Sequence, residues 1–174
     1  MSRAGRTLPG VFVTGTDTGI GKTLVATALV HALTAVGQRV APFKPVAAGA
    51  DPTPAGRRNE DAVLLAELAE STAAYGDVNL VLAEAPMAPH IALAREGRRF
   101  DRDAVLAAFA RLTSQADVAV ADANAEFAEA TEYFFLHLAG HDVLLGAQVR
   151  GRVGIGVGGE AAVLRQAVVE SEPG

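Results

Sequence analysis

The sequence predicts an α/β fold in which a mostly parallel sheet is flanked by helices. Three observations predict it. A short apolar strand, Val11–Thr14, runs into a glycine-rich turn and then an apolar helix, Lys22–Val36. Two further stretches of strand character follow, Arg39–Phe43 and Asp117–Ala121. Helical patterns separate these strands, and strands alternating with helices build parallel sheets. In such sheets ligands gather beyond the carboxyl ends of the strands.

The elements follow in order. Gly37 suits the left-handed residue that closes a helix, so the first helix ends there. Pro45 stops the second strand. Ala47–Asn59, "AAGADPTPAGRRN", reads as a loop because it is rich in Gly and Pro. Glu60–Glu70 reads as a helix with Val63, Leu64 and Leu68 on its apolar face. Tyr75–Pro89 reads as irregular. Asp101 or Asp103 caps a helix that runs to about Thr113. Beyond Asp122 the pattern gives a helix over Asn124–Ala139, a strand over Val143–Val149, a helix over Glu160–Val169 and a fraying tail. No internal repeat or long linker interrupts the 174 residues, so one domain spanning 1–174 is expected.

Composition narrows the function. Half the chain is hydrophobic, yet no run of about 18 uncharged apolar residues marks a membrane span. The opening "MSRAGRTLPG" lacks the apolar segment of a signal peptide. There are no cysteines, which removes disulfides, thiolate metal sites and a cysteine nucleophile and fits a cytoplasmic protein. The net charge is −5, and the fifteen basic residues form no stripe to neutralise a nucleic-acid backbone. Neither nucleic acid nor membrane is an expected partner. Thirteen of those fifteen are Arg, and the two lysines, Lys22 and Lys44, both lie beside turns at strand ends. A lysine is a compact point charge that arginine does not replace at a phosphate.

The stretch "VTGTDTGIGKT" (Val13–Thr23) has the parts a nucleotide triphosphate needs. Glycines admit the backbone to the phosphates, a helix N-terminus adds its positive dipole end, Lys reaches the outer phosphates and Thr holds Mg²⁺. Gly15, Thr16, Asp17, Thr18, Gly19, Ile20, Gly21, Lys22 and Thr23 are therefore the candidate ATP-binding residues. The usual loop has four residues between its first Gly and Gly-Lys-Thr, whereas Gly15 and Gly21 are separated by five. This is a lengthened P-loop. A second glycine motif, "GIGVGG" (Gly154–Gly159), reads as a turn. The acidic residue that a dinucleotide site places about 20 positions later has no room before the last residue given.

Three other motifs converge on phosphate chemistry. "FKPVAAG" puts Lys44 at the carboxyl end of the second strand, where a second cation can offset charge developing during phosphoryl transfer. "GRRNEDA" puts Asp61 at a helix start, either as an acid favoured by the dipole or as a Mg²⁺ ligand. "DVAVAD" ends a strand in Asp122, which suits either Mg²⁺ or a helix N-cap. His90, in "EAPMAPHIAL", reads as a cap or packing residue.

"FVTGTDTGIGKT", "FKPVAAG", "RNEDA" and "APHIA", in that order, resemble the dethiobiotin synthetase family. The resemblance covers about Val11–Val120, so residues 1–120 are family-like and 121–174 are diverged. The lengthened P-loop is that family's form. The resemblance implies a P-loop NTPase-type fold, incomplete at its C-terminal end, and a cytoplasmic homodimer. It implies ATP as co-substrate, Mg²⁺ as cofactor, and CO₂ or bicarbonate and a diamine acid, 7,8-diaminononanoate, as substrates. Lys22 and Lys44 would be catalytic. Thr23 and Asp61 carry the family's Mg²⁺ roles, with Asp122 as a third metal candidate. Asp61 also counts among the nucleotide-site residues, and Thr18 and Lys44 match positions facing the carbamate and the amines.

The pattern departs from the family in places. The family's third strand ends Glu-Gly-x-Gly-Gly, where this chain has Asp122-Ala123-Asn124-Ala125-Glu126. "VNL" (Val78–Leu80) replaces Val-Asn-Pro, and the later Asn-His pair is absent. Two other readings follow. One is a catalytically inactive nucleotide-binding remnant of the family. The other is a partitioning-type ATPase, disfavoured because residues 16–20 lack the additional lysine of that class.

Overall fold

The structure, a computed structural model, describes residues 8–15, 21–123 and 153–157. In chain order they form β1 (Gly10–Gly15), α1 (Lys22–Ala35), β2 (Val40–Phe43), β3 (Val46–Ala48), β4 (Asp51–Thr53), β5 (Gly56–Arg58), α2 (Glu60–Leu68), α3 (Tyr75–Val78), β6 (Val81–Ala83), α4 (Pro89–Arg95), α5 (Arg102–Thr113), β7 (Val118–Asp122) and β8 (Val153–Val157). The main sheet has the order β2-β7-β1-β8. Its first three strands are parallel, with Val13 opposite Asp122 and Phe43 opposite Ala121. β8 closes the β1 side antiparallel. β3 pairs in parallel with β6. The α/β class and mostly parallel sheet are as the sequence predicts.

Both faces of the main sheet are covered, so its central strand reads as a continuous buried run rather than an alternation. The pleat still sorts side chains by parity. Val11, Val13, Val118 and Val120 face Ala26 and Val30 of α1 and Leu65 of α2. Phe12, Ala41, Phe43, Ala119 and Ala121 face Val105 and Phe109 of α5. The alanines on that second face leave room for three phenylalanines. Phe43 and Phe109 meet edge-tilted, with centroids 5.0 Å apart at 60°.

Local chemistry sets several boundaries. Gly37 takes φ 80° just past α1, as a closing glycine should. Asp101 rather than Asp103 caps α5, its carboxylate accepting from the N–H groups of Asp103 and Ala104. Asp101→Ala is expected to lower stability by about 1 kcal/mol, read as a shift in urea midpoint at unchanged slope. Arg39 and Asp117 form a two-pronged ion pair at 2.6 and 2.8 Å. Asp117 also accepts from the Arg39 backbone N–H, so the pair fixes the register at which β2 enters beside β7.

Four readings need correction. The loop expected over Ala47–Asn59 contains the β4–β5 hairpin and most of β3. A turn built on Pro54-Ala55, with Gly56 at φ 96°, brings Thr53 opposite Gly56 and reverses the chain. Of the α2 face expected at Val63, Leu64 and Leu68, Leu68 packs against the core and Val63 is half-buried, but Leu64 is 40% exposed; the buried positions are Ala62 and Leu65, continued by Ala69. Leu65 and Ala69 share one buried cluster with Ala26 and Val30 of α1. Tyr75–Pro89 holds α3 and β6. Val153–Val157 is a strand paired antiparallel with β1, so the glycine-rich turn expected from Gly154 does not begin there. The elements expected over Asn124–Ala139, Val143–Val149 and Glu160–Val169 lie outside the described residues, as does the tail.

Candidate functional site

The parallel strands β1, β2 and β7 share a direction, so their carboxyl ends lie along one edge. α1 follows the first, Lys44 follows the second, and Asp122 ends the third. Gly21 precedes α1 at φ 90° with no side-chain cap. A Cβ there would meet nothing within 4 Å, so glycine is required by backbone angle rather than space. The first turn of α1 has no acidic residue, which keeps its dipole end receptive to an anion.

Lys44 is tightly held. Its N–H donates to the Val78 carbonyl at 2.9 Å, and its carbonyl accepts from the Asn79 side-chain amide at 2.7 Å. Its ammonium lies 2.6 Å from Asp122 Oδ2 and 3.0 Å from Asp61 Oδ2. Asp61 sits in the first turn of α2, whose N-cap Asn59 accepts from the Ala62 N–H at 3.2 Å. Thr23 Oγ1 lies 3.1 Å from Asp61 Oδ2 and 3.4 Å from Asp122 Oδ2. A hydroxyl has one proton, so it donates to one carboxylate at a time.

Thr23, Lys44, Asp61 and Asp122 therefore meet at one point. Asp122 is fully buried, and its Oδ1 has no hydrogen-bond partner among the described residues. Two carboxylates against one ammonium leave a net negative cluster. Three hard oxygen donors around that cluster, with one carboxylate oxygen unsatisfied, fit Mg²⁺, which prefers few carboxylates and completes its shell with water and phosphate. No group of three or more His, Cys, Asp and Glu occurs among the described residues, which leaves no sign of a nitrogen- or thiolate-based centre there.

Burial lowers the Lys44 ammonium's proton affinity, but Asp122 and Asp61 together outweigh it and raise its pKa above the ordinary lysine value. Its folded-state value exceeds the unfolded one. The resulting stability is fully present below the unfolded pKa, ~10.4, and is lost as pH rises through the folded value. A Lys44→Met protein is thus expected to lose stability relative to the native chain by a constant amount between about pH 7 and 9. The gap should narrow in strong alkali, as followed by thermal melting.

Of the sequence candidates, Gly15 ends β1 and pairs across to Val153. Thr16, Asp17, Thr18, Gly19 and Ile20 lie outside the described residues. His90 is exposed at the second position of α4, whose N-cap is Ala88. Sequence reasoning did not single out Asn59, Tyr75 or Asn79. Asn59 stands directly before an acidic pair, which is a helix-start signature. Asn79 is the one polar residue in "VNLVL", and it is 3% exposed. A separate cleft of about 520 Å³ opens at the opposite edge of the sheet, among the segments leading into β2 and β7. Its arginines, Arg39 and Arg111, are each bound to an aspartate, Asp117 and Asp77. No helix among the described residues is long and apolar enough to cross a membrane.

Known proteins resemble this chain in sequence. The AAA domain family matches residues 9–127. A protein of Xanthomonas axonopodis pv. citri (strain 306), described as an ATP-dependent dethiobiotin synthetase, is 46% identical over 114 residues, covering 66% of this chain and 51% of the relative. A protein of the same description from Xylella fastidiosa (strain Temecula1) is 41% identical over 132 residues, covering 71% and 58%. One from Marinobacter nauticus is 44% identical over 88 residues, covering 51% and 38%. The chain spans about half the length of the first of these relatives.

Proposed function

We propose that this chain, which belongs to the AAA domain family matched over residues 9–127, is an ATP-dependent ring-closing ligase. It converts 7,8-diaminononanoate and CO₂ to dethiobiotin, releasing ADP and phosphate, in the cytoplasm and as a homodimer. The convergence of Thr23, Lys44, Asp61 and Asp122 beside the glycine turn carries the reading, and the similarity to dethiobiotin synthetases supports the choice of substrate.

In this reading one amine of the substrate bonds to CO₂ and loses a proton, giving a carbamate. A carbamate oxygen takes the γ-phosphoryl group as the bond to ADP breaks. The second amine then attacks the carbonyl carbon and gives up a proton to the departing phosphate, the cyclic urea closes, and phosphate leaves with the electrons of the broken carbon–oxygen bond. Phosphorylation turns an oxygen that leaves poorly into one that leaves readily. Gly15, Thr16, Asp17, Thr18, Gly19, Ile20 and Gly21 orient the phosphates through backbone N–H groups. Lys22 and Lys44 offset the charge that spreads over the transferred group. Thr23, Asp61 and Asp122 would hold Mg²⁺, which supplies charge neutralisation between the phosphate oxygens when bound. The family resemblance assigns Thr18 to the carbamate and amines.

The test is dethiobiotin formation, followed by mass spectrometry, with purified protein, ATP, Mg²⁺, bicarbonate and the diamine acid. Product that depends on the diamine is expected. A folded sample that binds ATP with Mg²⁺ but makes no product would replace this reading with the nucleotide-binding remnant. ATP hydrolysis indifferent to diamine would favour the partitioning-type ATPase.

A further inference from the structure

We propose that Tyr75 is a positioning residue for the Mg²⁺–nucleotide site, fixing the separation of the Lys44 turn from the start of α2 where Asp61 sits. The inference rests on the nucleotide-binding part of the reading above. It begins with an unbroken line of hydrogen bonds. The Asn79 amide donates to the Lys44 carbonyl at 2.7 Å. That fixes the orientation of Asn79 and turns its Oδ1 toward Tyr75, whose hydroxyl donates to it at 3.1 Å. The same hydroxyl accepts from the Asn59 N–H at 2.8 Å. Asn59 in turn caps α2 through Ala62 and donates its side-chain amide to the Gly49 carbonyl at 3.2 Å.

Every donor in the line has one acceptor, and Tyr75 is the only member that both donates and accepts through a single atom. Burial lifts the Tyr75 phenol above its ordinary range, against the opposing Asn59 N–H and the Arg58 charge, so it stays the neutral donor that the line requires. The Arg58 guanidinium lies 4.2 Å from the centre of the Tyr75 ring and holds the ring from the hairpin side. The segment from Lys44 to Asn59, including the β4–β5 hairpin, is thereby closed at its base. Lys44 and Asp61 lie on opposite sides of that closure, yet meet at 3.0 Å. Without the hydroxyl, the Asn59 N–H and the Asn79 oxygen lose their shared partner, and the line between the Lys44 turn and the α2 start is broken.

The experiment compares the native chain with Y75F and R111A. Tyr75→Phe removes one oxygen and keeps the ring under Arg58. Arg111→Ala removes the ion pair to Asp77, which secures the same short helix α3 from α5. It therefore loosens α3 without touching the line. ATP binding is titrated with Mg²⁺ by calorimetry, and thermal midpoints are recorded alongside. Y75F is expected to raise the Mg²⁺ half-saturation about tenfold, as loss of a supporting hydrogen bond behind a metal ligand does. R111A is expected to lower the midpoint and leave the Mg²⁺ dependence in place. Native-like Mg²⁺ dependence in Y75F, or an equal shift in R111A, overturns the inference. A native chain that binds no nucleotide overturns the underlying reading and the inference with it.

Discussion

Lys44→Ala is expected to lower the proposed ring-closing rate by about a hundred- to a thousandfold, the usual cost of one preorganised charge contact to a transition state. It is also expected to cost stability. Asp122 is fully buried with its Oδ2 on the Lys44 ammonium, and Oδ1 has no other partner to lean on among the described residues. Removing one member of a buried pair leaves the other charge uncompensated, at about 3–5 kcal/mol. The two effects separate in a double variant. Lys44→Met with Asp122→Asn removes both charges, so stability should largely return while turnover does not. Chemical denaturation and a steady-state assay on the three proteins check this. Native-like turnover in Lys44→Ala would sink the role given to that lysine.

Asp122→Asn alone is expected to change two dependences in the same protein. The Mg²⁺ concentration for half-maximal rate should rise about tenfold or more, since an oxygen anion leaves the candidate metal shell. The pH dependence should change as well. In the native chain burial lowers Lys44, and the Asp122 and Asp61 charges overcome it. Taking Asp122 away leaves the burial and only the more exposed Asp61. The Lys44 pKa must then fall, and the ammonium is lost at lower pH. Any alkaline decline of rate should begin at lower pH in Asp122→Asn than in the native chain. Titration of the substrate amines is common to both proteins and cancels in the comparison. Coincident alkaline limbs would show that the Asp122 charge does not keep Lys44 protonated.

The sequence made the phosphate edge of the fold readable because each of its parts is local. Strand, glycine turn and helix are contiguous from Val11 to Val36, and Lys44 and Asp122 each directly end an apolar run. Their meeting needs the strand order β2-β7-β1, which the local sequence does not show. What escaped was set by contacts between segments. Leu64 has the right spacing for an apolar face, but the buried positions are Ala62, Leu65 and Ala69, two of them alanines that carry no strong periodic signal. β3, β4, β5 and β6 are three residues long, too short for alternation to register. Tyr75 and Asn79 looked like loop residues because their partners, Asn59 and Lys44, are 16 and 35 positions away.

The same separation bears on how the protein folds. β2 meets β7 only after 78 residues of chain have been closed, and the Arg39–Asp117 and Lys44–Asp122 bonds both span that interval. Closing so long a loop costs chain entropy before any contact offsets it, and nonlocal strand pairing is slow for that reason. β1 and α1 can associate early, since they are neighbours in sequence. The cation-attracting cluster cannot form with them, because Asp122 arrives with the last of the three parallel strands. In a refolding experiment, Mg²⁺-dependent nucleotide affinity should therefore emerge with the slow phase that completes the sheet, well after helical signal has appeared.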